Sequence, residues 1–273
     1  NLHNEYANNF ASRHGSSPCA MAFHVENAIQ AHQQAILRGA QNASLTTLYP
    51  YPAIFGIGGS LIYFVDDQLQ QQDPIFSQST IPSSTLSLYE IDHVTHNVNR
   101  GQMDIWSNFY RRIFNFKEIR YFDIQGKKTG LHSRAMASPC GKIRIPINEA
   151  TEEKSQIQEF IVEFHGEGIQ HIALSSTNIY HSVSILKEKG IRFLDTPATY
   201  YEMLNARIPW HQENFSKLEK FKILMDGTPT PEGGLLLQIF TENMLGPVFF
   251  EIIQRKGNEG FGEGNFQALF EAI

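Results

Sequence analysis

Three histidines and one glutamate interrupt stretches that otherwise read as apolar strand. His93, His96 and His171 sit in such runs, and Glu251 lies inside VFFEII at residues 248–253. A lone imidazole in a strand is commonly a satisfied core residue, so position alone does not make it a ligand. A carboxylate buried without a partner costs on the order of several kcal/mol, so Glu251 requires a cation or a strong donor beside it. Two readings stay open on the residues alone. Two strand histidines and one strand carboxylate form the donor set that suits a non-haem Fe(II) with open positions. Alternatively, Glu251 forms a buried salt bridge, with Arg144 or Arg255 as the obvious cation.

Alternation constrains the choice. Residues three apart in a strand face opposite sides, so His93 and His96 do not both point into one site; one can be a ligand, and the other is structural or supports a ligand from behind. By the same rule Asp92 faces away from His93 and is not a ligand. Most other histidines, His14 and His24 among them, lie in polar or helical contexts without an evident acidic partner. The glycines of GNEGFGEG (257–264) follow a strand and precede a helix, as in a dinucleotide loop. Only nine residues follow Gly264, too few for the second strand and ribose-binding acid, so they read as a flexible turn exposing Phe261 and Phe266.

The elements that carry these residues repeat. Residues 19–40 and 170–191 align with a shift of 151, matching Ala22, Asn27 and Gly39 to Ala173, Asn178 and Gly190. Each copy reads as an apolar strand, an Asn helix cap, a helix and a Gly stop. The shift puts His171 opposite Ala20, so the repeat itself does not need the imidazole. A third strand–helix copy spans 91–116, and further strands read at 60–65, 143–147, 235–240 and 247–253. One helix before several strands predicts an α+β fold of repeated βαβββ modules with mostly antiparallel pairing. The breaker-rich stretch 70–87 (QQQDPIFSQSTIPSSTLS) reads as a linker, dividing the chain into domains 1–85 and 86–273.

Composition limits the function classes. With 22 Lys and Arg against 28 Asp and Glu, the net charge is −6 and the bases are scattered, which argues against a nucleic-acid partner. No apolar run reaches membrane-spanning length, and two isolated cysteines, Cys19 and Cys140, suggest a cytoplasmic setting. The lack of an initial Met and the helical run ending at Ile273 suggest that both ends continue elsewhere. The 20 Phe exceed what a core of this size needs.

The ordered segments IDHVTHNV, TGLHSRAM, IRIPINE, SQIQEF, GEGIQHIAL, TYYEML, LLLQIF and FFEIIQRKGNEGFGEGNF are similar to those of the 4-hydroxyphenylpyruvate dioxygenase family of the vicinal-oxygen-chelate superfamily. The resemblance is dense over 89–273 and loose before it. It implies a glyoxalase-like fold with an incomplete, metal-free N-terminal domain and an active site inside a C-terminal open barrel. It implies a facial triad of His93, His171 and Glu251 holding Fe(II), with O2 as co-substrate. It also implies a substrate pocket of Ser133, Asn148, Gln156, Gln170, Gln238, Phe240, Phe249, Phe261, Asn265, Phe266 and Phe270. Five Phe of the surplus fall in that set. The activity implied is conversion of 4-hydroxyphenylpyruvate, a small 2-oxo acid, to homogentisate and CO2 in tyrosine and phenylalanine catabolism, by a homodimer or homotetramer. The rivals are a hydroxymandelate synthase acting on the same substrate and a non-catalytic member that binds an aromatic ligand or metal. A zinc hydrolase ranks last, because no general base is identifiable beside the site.

Overall fold

The computed structural model describes residues 4–44, 49–72, 86–125 and 130–272. Most of the linker read at 70–87, with the domain boundary near residue 85, lies outside the described residues. The first part contains α1 (Glu5–His14), β1 (Ala20–His24), α2 (Ala28–Leu37), β2 (Ala53–Phe55), β3 (Leu61–Val65) and α3 (Asp67–Gln72). Its strands form a sheet in the order β1-β3-β2. The second part opens with β4 (Leu88–Val98), α4 (Met103–Phe114), β5 (Lys117–Gln125), β6 (Gly130–Ala137) and β7 (Arg144–Ala150). After α5 (Gln156–Phe164) come β8 (Gly168–Ser176) and α6 (Ile179–Glu188), then the short helices α7 (Ala198–Glu202), α8 (Leu204–Arg207) and α9 (Phe215–Phe221). The chain closes with β9 (Leu224–Gly227), β10 (Leu235–Phe240), β11 (Phe249–Lys256) and α10 (Glu263–Ala272).

The large sheet has eight strands in the order β5-β6-β7-β4-β8-β11-β10-β9. Each half is one βαβββ module. A strand leads into a helix, three strands form an antiparallel meander, and the last lies parallel to the first: β7 on β4, β11 on β8. The halves meet where β4 and β8 run antiparallel.

The repeat read from the sequence recurs in the backbone. Helices α2 and α6 begin and end 151 residues apart. Asn27 accepts from the Gln30 amide (2.8 Å), and Asn178 accepts from the His181 amide (3.2 Å). Both satisfy amides that the first helical turn leaves unpaired. Gly39 and Gly190 then take φ of 89° and 87°, a left-handed conformation that stops the helix.

One apolar core joins the N-terminal sheet to the β4–β7 half. Phe23, Ile54, Ile62 and Phe64 pack with Tyr110, Phe116, Met136 and Ile147. Phe114 completes an aromatic cluster, 5.1 Å from Phe23 and 5.9 Å from Phe64 between ring centroids. Much of the Phe surplus therefore seals this seam. Two histidines read as surface residues have partners. His14 is buried between Phe10 and Phe164 with its Nδ1 2.6 Å from the Phe164 carbonyl, and His24 meets Asp67 at 2.8 Å. Among the described residues no helix is long and apolar enough to cross a membrane.

Candidate metal centre

Strand register brings the candidate ligands to one face. His93 on β4 pairs with Ala173 on β8, which pairs in turn with Glu251 on β11. His171, two residues before Ala173, shares its face. The alanine methyl is small, and this leaves open the space between the two flanking side chains. The three polar tips converge: His93 Nε2 is 3.3 Å from His171 Nε2 and 3.3 Å from Glu251 Oε2, and His171 Nε2 is 3.5 Å from Glu251 Oε2. Adjacent donors around a small divalent ion, each at about 2.1 Å, lie roughly 3 Å apart, so the residues fit such an ion. Among the described residues this is the group of three whose donor atoms could hold a metal, and all three are buried.

The salt-bridge alternative for Glu251 fails in an informative way, because both arginines turn elsewhere. Arg255 donates from Nε and Nη2 to Asp92, each at 2.8 Å, and Arg144 pairs with Glu259 at 2.8 Å. Glu251 instead accepts from Gln238 Nε2 at 2.8 Å. Burial pushes its carboxyl pKa up, but the facing imidazoles outweigh that and hold it at about 2. Burial pulls His93 down, yet Glu251 and Asp92 together raise it, whereas burial prevails at His171 and lowers it. The charge around His93 thus favours a cation at this spot.

The expectation that Asp92 faces away from His93 is corrected. Asp92 is an extra residue on β4 between the pairs Ile91–Leu174 and His93–Ala173, a β-bulge that breaks alternation. Its Oδ1 accepts from His93 Nδ1 at 2.8 Å. A second bulge makes Gln170 the extra residue on β8, between the pairs Thr95–His171 and His96–Ile169. Gln170 Oε1 accepts from His171 Nδ1 at 2.9 Å, so this amide holds a ligand ring. His96 is buried, and burial lowers its pKa to about 4, leaving it neutral and outside the triad.

Several sequence-derived pocket positions gather here. Phe249 stacks on His171 (4.9 Å between centroids), Phe261 meets His93 edge-on (5.3 Å), and Phe240 lies 6.5 Å from His171. Gln238 Oε1 accepts from Asn265 Nδ2 at 2.8 Å. Asn97 pairs in register with Asn148, and Asn148 with Ser133. The three share a face, and since Asn97 lies four residues beyond His93, that face is the one bearing the ligand. Gln156 begins α5 and is exposed, Phe266 is 36% exposed on α10, and the side chain of Phe270 lies outside the described residues.

Residues given no role from sequence complete the floor. Tyr200 donates to Asn265 Oδ1 at 2.7 Å, and Asp226 accepts from the Gly264 amide at 3.0 Å, capping the start of α10. The glycines of the turn serve close approach rather than looseness. A Cβ at Gly262, where φ is 78°, would lie 1.9 Å from Gln238 Oε1, and one at Gly264 would lie 2.3 Å from Asp226 Oδ1. TYYEML carried a signal for Tyr200 only as part of a motif. The pairing of Ala22 with Ala173 marked a small residue in the repeat without saying why it is small.

A family model described as hydroxyphenylpyruvate dioxygenase, HPPD, N-terminal matches residues 1–94, and one for the glyoxalase/bleomycin resistance protein/dioxygenase superfamily matches 90–206. A 4-hydroxyphenylpyruvate dioxygenase of Legionella pneumophila (strain Corby) is 58% identical over 96% of this chain and 76% of its own length. One from Pseudomonas aeruginosa is 53% identical over 98% of this chain and 77% of its own. The solved structure of a triple mutant of 4-hydroxymandelate synthase from Streptomyces coelicolor superposes with a TM-score of 0.80 at 27% identity, over 97% of this chain and 77% of that one. The glyoxalase-like fold follows from these matches together with the βαβββ modules, and on identity and coverage the chain belongs to the 4-hydroxyphenylpyruvate dioxygenase family.

Proposed function

We propose that the chain is an Fe(II)-dependent dioxygenase that converts 4-hydroxyphenylpyruvate and O2 to homogentisate and CO2, in tyrosine and phenylalanine catabolism. The carrying observation is the convergence of His93, His171 and Glu251 on one buried point, in a chain 58% identical to a dioxygenase of that name. Bound Fe(II) would supply chelation of the 2-oxo acid and the reaction of O2 with it, leaving no need for a side-chain nucleophile. The chain's own residues do the rest. His93, His171 and Glu251 would hold the ion, and three protein ligands would leave coordination positions for the reactants. Phe240, Phe249 and Phe261 wall the ligands and exclude water. Gln238 and Asn265, already fixed to each other, and Ser133, Asn148, Gln156 and Gln170 are the polar groups assigned to orient the substrate's oxygens. Phe266 and Phe270 on α10 are assigned to cover the ring. The active chain is a homodimer or homotetramer on this reading.

Dioxygenase chemistry is favoured over hydroxymandelate synthesis because the dioxygenases match at 53–58% identity and the synthase structure at 27%. Anaerobic loading with Fe(II), followed by a single turnover with 4-hydroxyphenylpyruvate, tests the reading. Homogentisate and one CO2 per O2 consumed are expected. Hydroxymandelate as the main product would replace the assignment, and absence of O2 uptake would favour the non-catalytic rival.

A further inference from the structure

Asp92 is 3% exposed and carries a negative charge that no part of the proposed reaction uses. Such a charge is costly unless it is fully paired, so its partners show what it holds. Arg255 grips both of its oxygens at 2.8 Å in the two-pronged geometry that fixes a carboxylate most firmly. Ser175 Oγ donates to Oδ2 at 3.3 Å, and Arg144 Nη1 lies 3.6 Å from Oδ2. The remaining bond, to Oδ1, comes from His93 Nδ1. Arg255 also secures the turn that follows β11. Its Nη1 donates to the carbonyls of Asn258 (3.0 Å) and Gly260 (2.7 Å), and its guanidinium lies over the Phe261 ring at 5.7 Å.

From this geometry we infer that Asp92, fixed by Arg255, is the positioning residue for His93, holding the ring with Nδ1–H on the carboxylate and the Nε2 lone pair toward the metal. The inference rests on the triad being a metal centre. An imidazole has two nitrogens and can flip about its side-chain torsions. A carboxylate at Nδ1 selects one tautomer and one orientation and makes the other nitrogen a stronger donor. The bulge at Asp92 is what allows two consecutive residues to serve one site. A purely structural ion pair with Arg255 would not need its carboxylate oxygen on the His93 ring. Because Arg255 holds the turn that carries Phe261, the same guanidinium ties the ligand to the wall above it.

The test is Co(II) binding by the full chain, read by titration and by the visible absorption of the bound ion. Asp92→Asn keeps the shape and removes the charge. The expected result is Co(II) affinity weaker by about 10- to 100-fold, with a shifted spectrum, in protein whose melting curve still shows a cooperative fold. Arg255→Lys, which keeps the charge and loses the fork, is expected to weaken binding less. Unchanged affinity and spectrum in folded Asp92→Asn would overturn the inference and leave Asp92 a structural ion-pair partner. Should Asp92→Asn not fold, the tautomer is read in the wild-type chain loaded with Zn(II), by nitrogen-15 NMR of the imidazoles. A proton on His93 Nδ1 with Nε2 on the metal is expected, and coordination through Nδ1 would overturn the inference. A wild-type chain that binds no Co(II) would instead contradict the metal reading itself.

Discussion

The two histidine ligands occupy matching places in the two halves of the sheet, yet they are held differently. His93 stands on β4, the strand of the first module that borders the second, with its Nδ1 on the buried carboxylate of Asp92, itself locked by Arg255. His171 stands on β8, the matching border strand of the second, with its Nδ1 on the neutral amide of Gln170 and its ring stacked on Phe249. Each relies on a β-bulge that turns the preceding residue inward. Repetition thus supplies the frame, and single residues make the two arms unequal: one is anchored by charge, the other by an amide and an aromatic face. The second module alone contributes the carboxylate ligand, Glu251, and leads on into α10, whose Asn265 bonds Gln238.

Removing either arm outright is the largest perturbation. His171→Ala leaves two donors, and metal affinity and activity are both expected to fall by more than the ~100-fold that outer partners command. Full metal occupancy in that variant, measured by elemental analysis, would break the equivalence of the two histidines. Filling the gap between the arms comes next. Ala173 is fully buried between His93 and Glu251, so Ala173→Leu places side-chain carbon where the ion belongs. Metal occupancy should collapse, with a stability loss of about 1–3 kcal/mol from overpacking, read by metal content and thermal melting together.

A smaller effect is expected at the turn. Gly262→Ala sets a Cβ against Gln238 at a left-handed backbone position, forcing the amide off Glu251. A destabilisation of about 1–3 kcal/mol is expected, with a raised KM, and wild-type values for both would mean that the turn yields freely. The smallest effect falls on the amide arm. Gln170→Ala removes a neutral hydrogen bond worth about 1 kcal/mol, so Co(II) affinity should drop only about fivefold. A loss equal to that of Asp92→Asn would erase the difference between the arms.

Much of this was legible in the sequence because the signals were local. An imidazole or carboxylate inside an apolar run, an Asn cap and a Gly stop each depend on a few neighbouring residues, so the modules, the repeat and the conspicuous His171 and Glu251 could be read directly. What required the structure depends on register. Alternation placed Asp92 on the wrong face because a bulge adds one residue to one strand and leaves no local mark on composition. Ala173 looks unremarkable until its strand neighbours prove to be His93 and Glu251. Arg255 was a plausible partner for Glu251 by proximity along the strand, but its two-pronged geometry is satisfied by Asp92, 163 residues away in sequence. The contacts of Tyr200 and Asp226 with the start of α10 likewise join segments distant in the chain. Part of the Phe surplus lines the ligand wall and part fills the seam between the N-terminal sheet and α4.

The claim on which the rest depends is that one ion sits between His93, His171 and Glu251. Crystals of the chain loaded with Co(II) and measured at the cobalt absorption edge test it most directly. The expected result is a single anomalous peak per chain, bonded to Nε2 of both histidines and to the Glu251 carboxylate, with Asp92 still on His93 Nδ1. A peak elsewhere, or one bonded to fewer than these three residues, would contradict it.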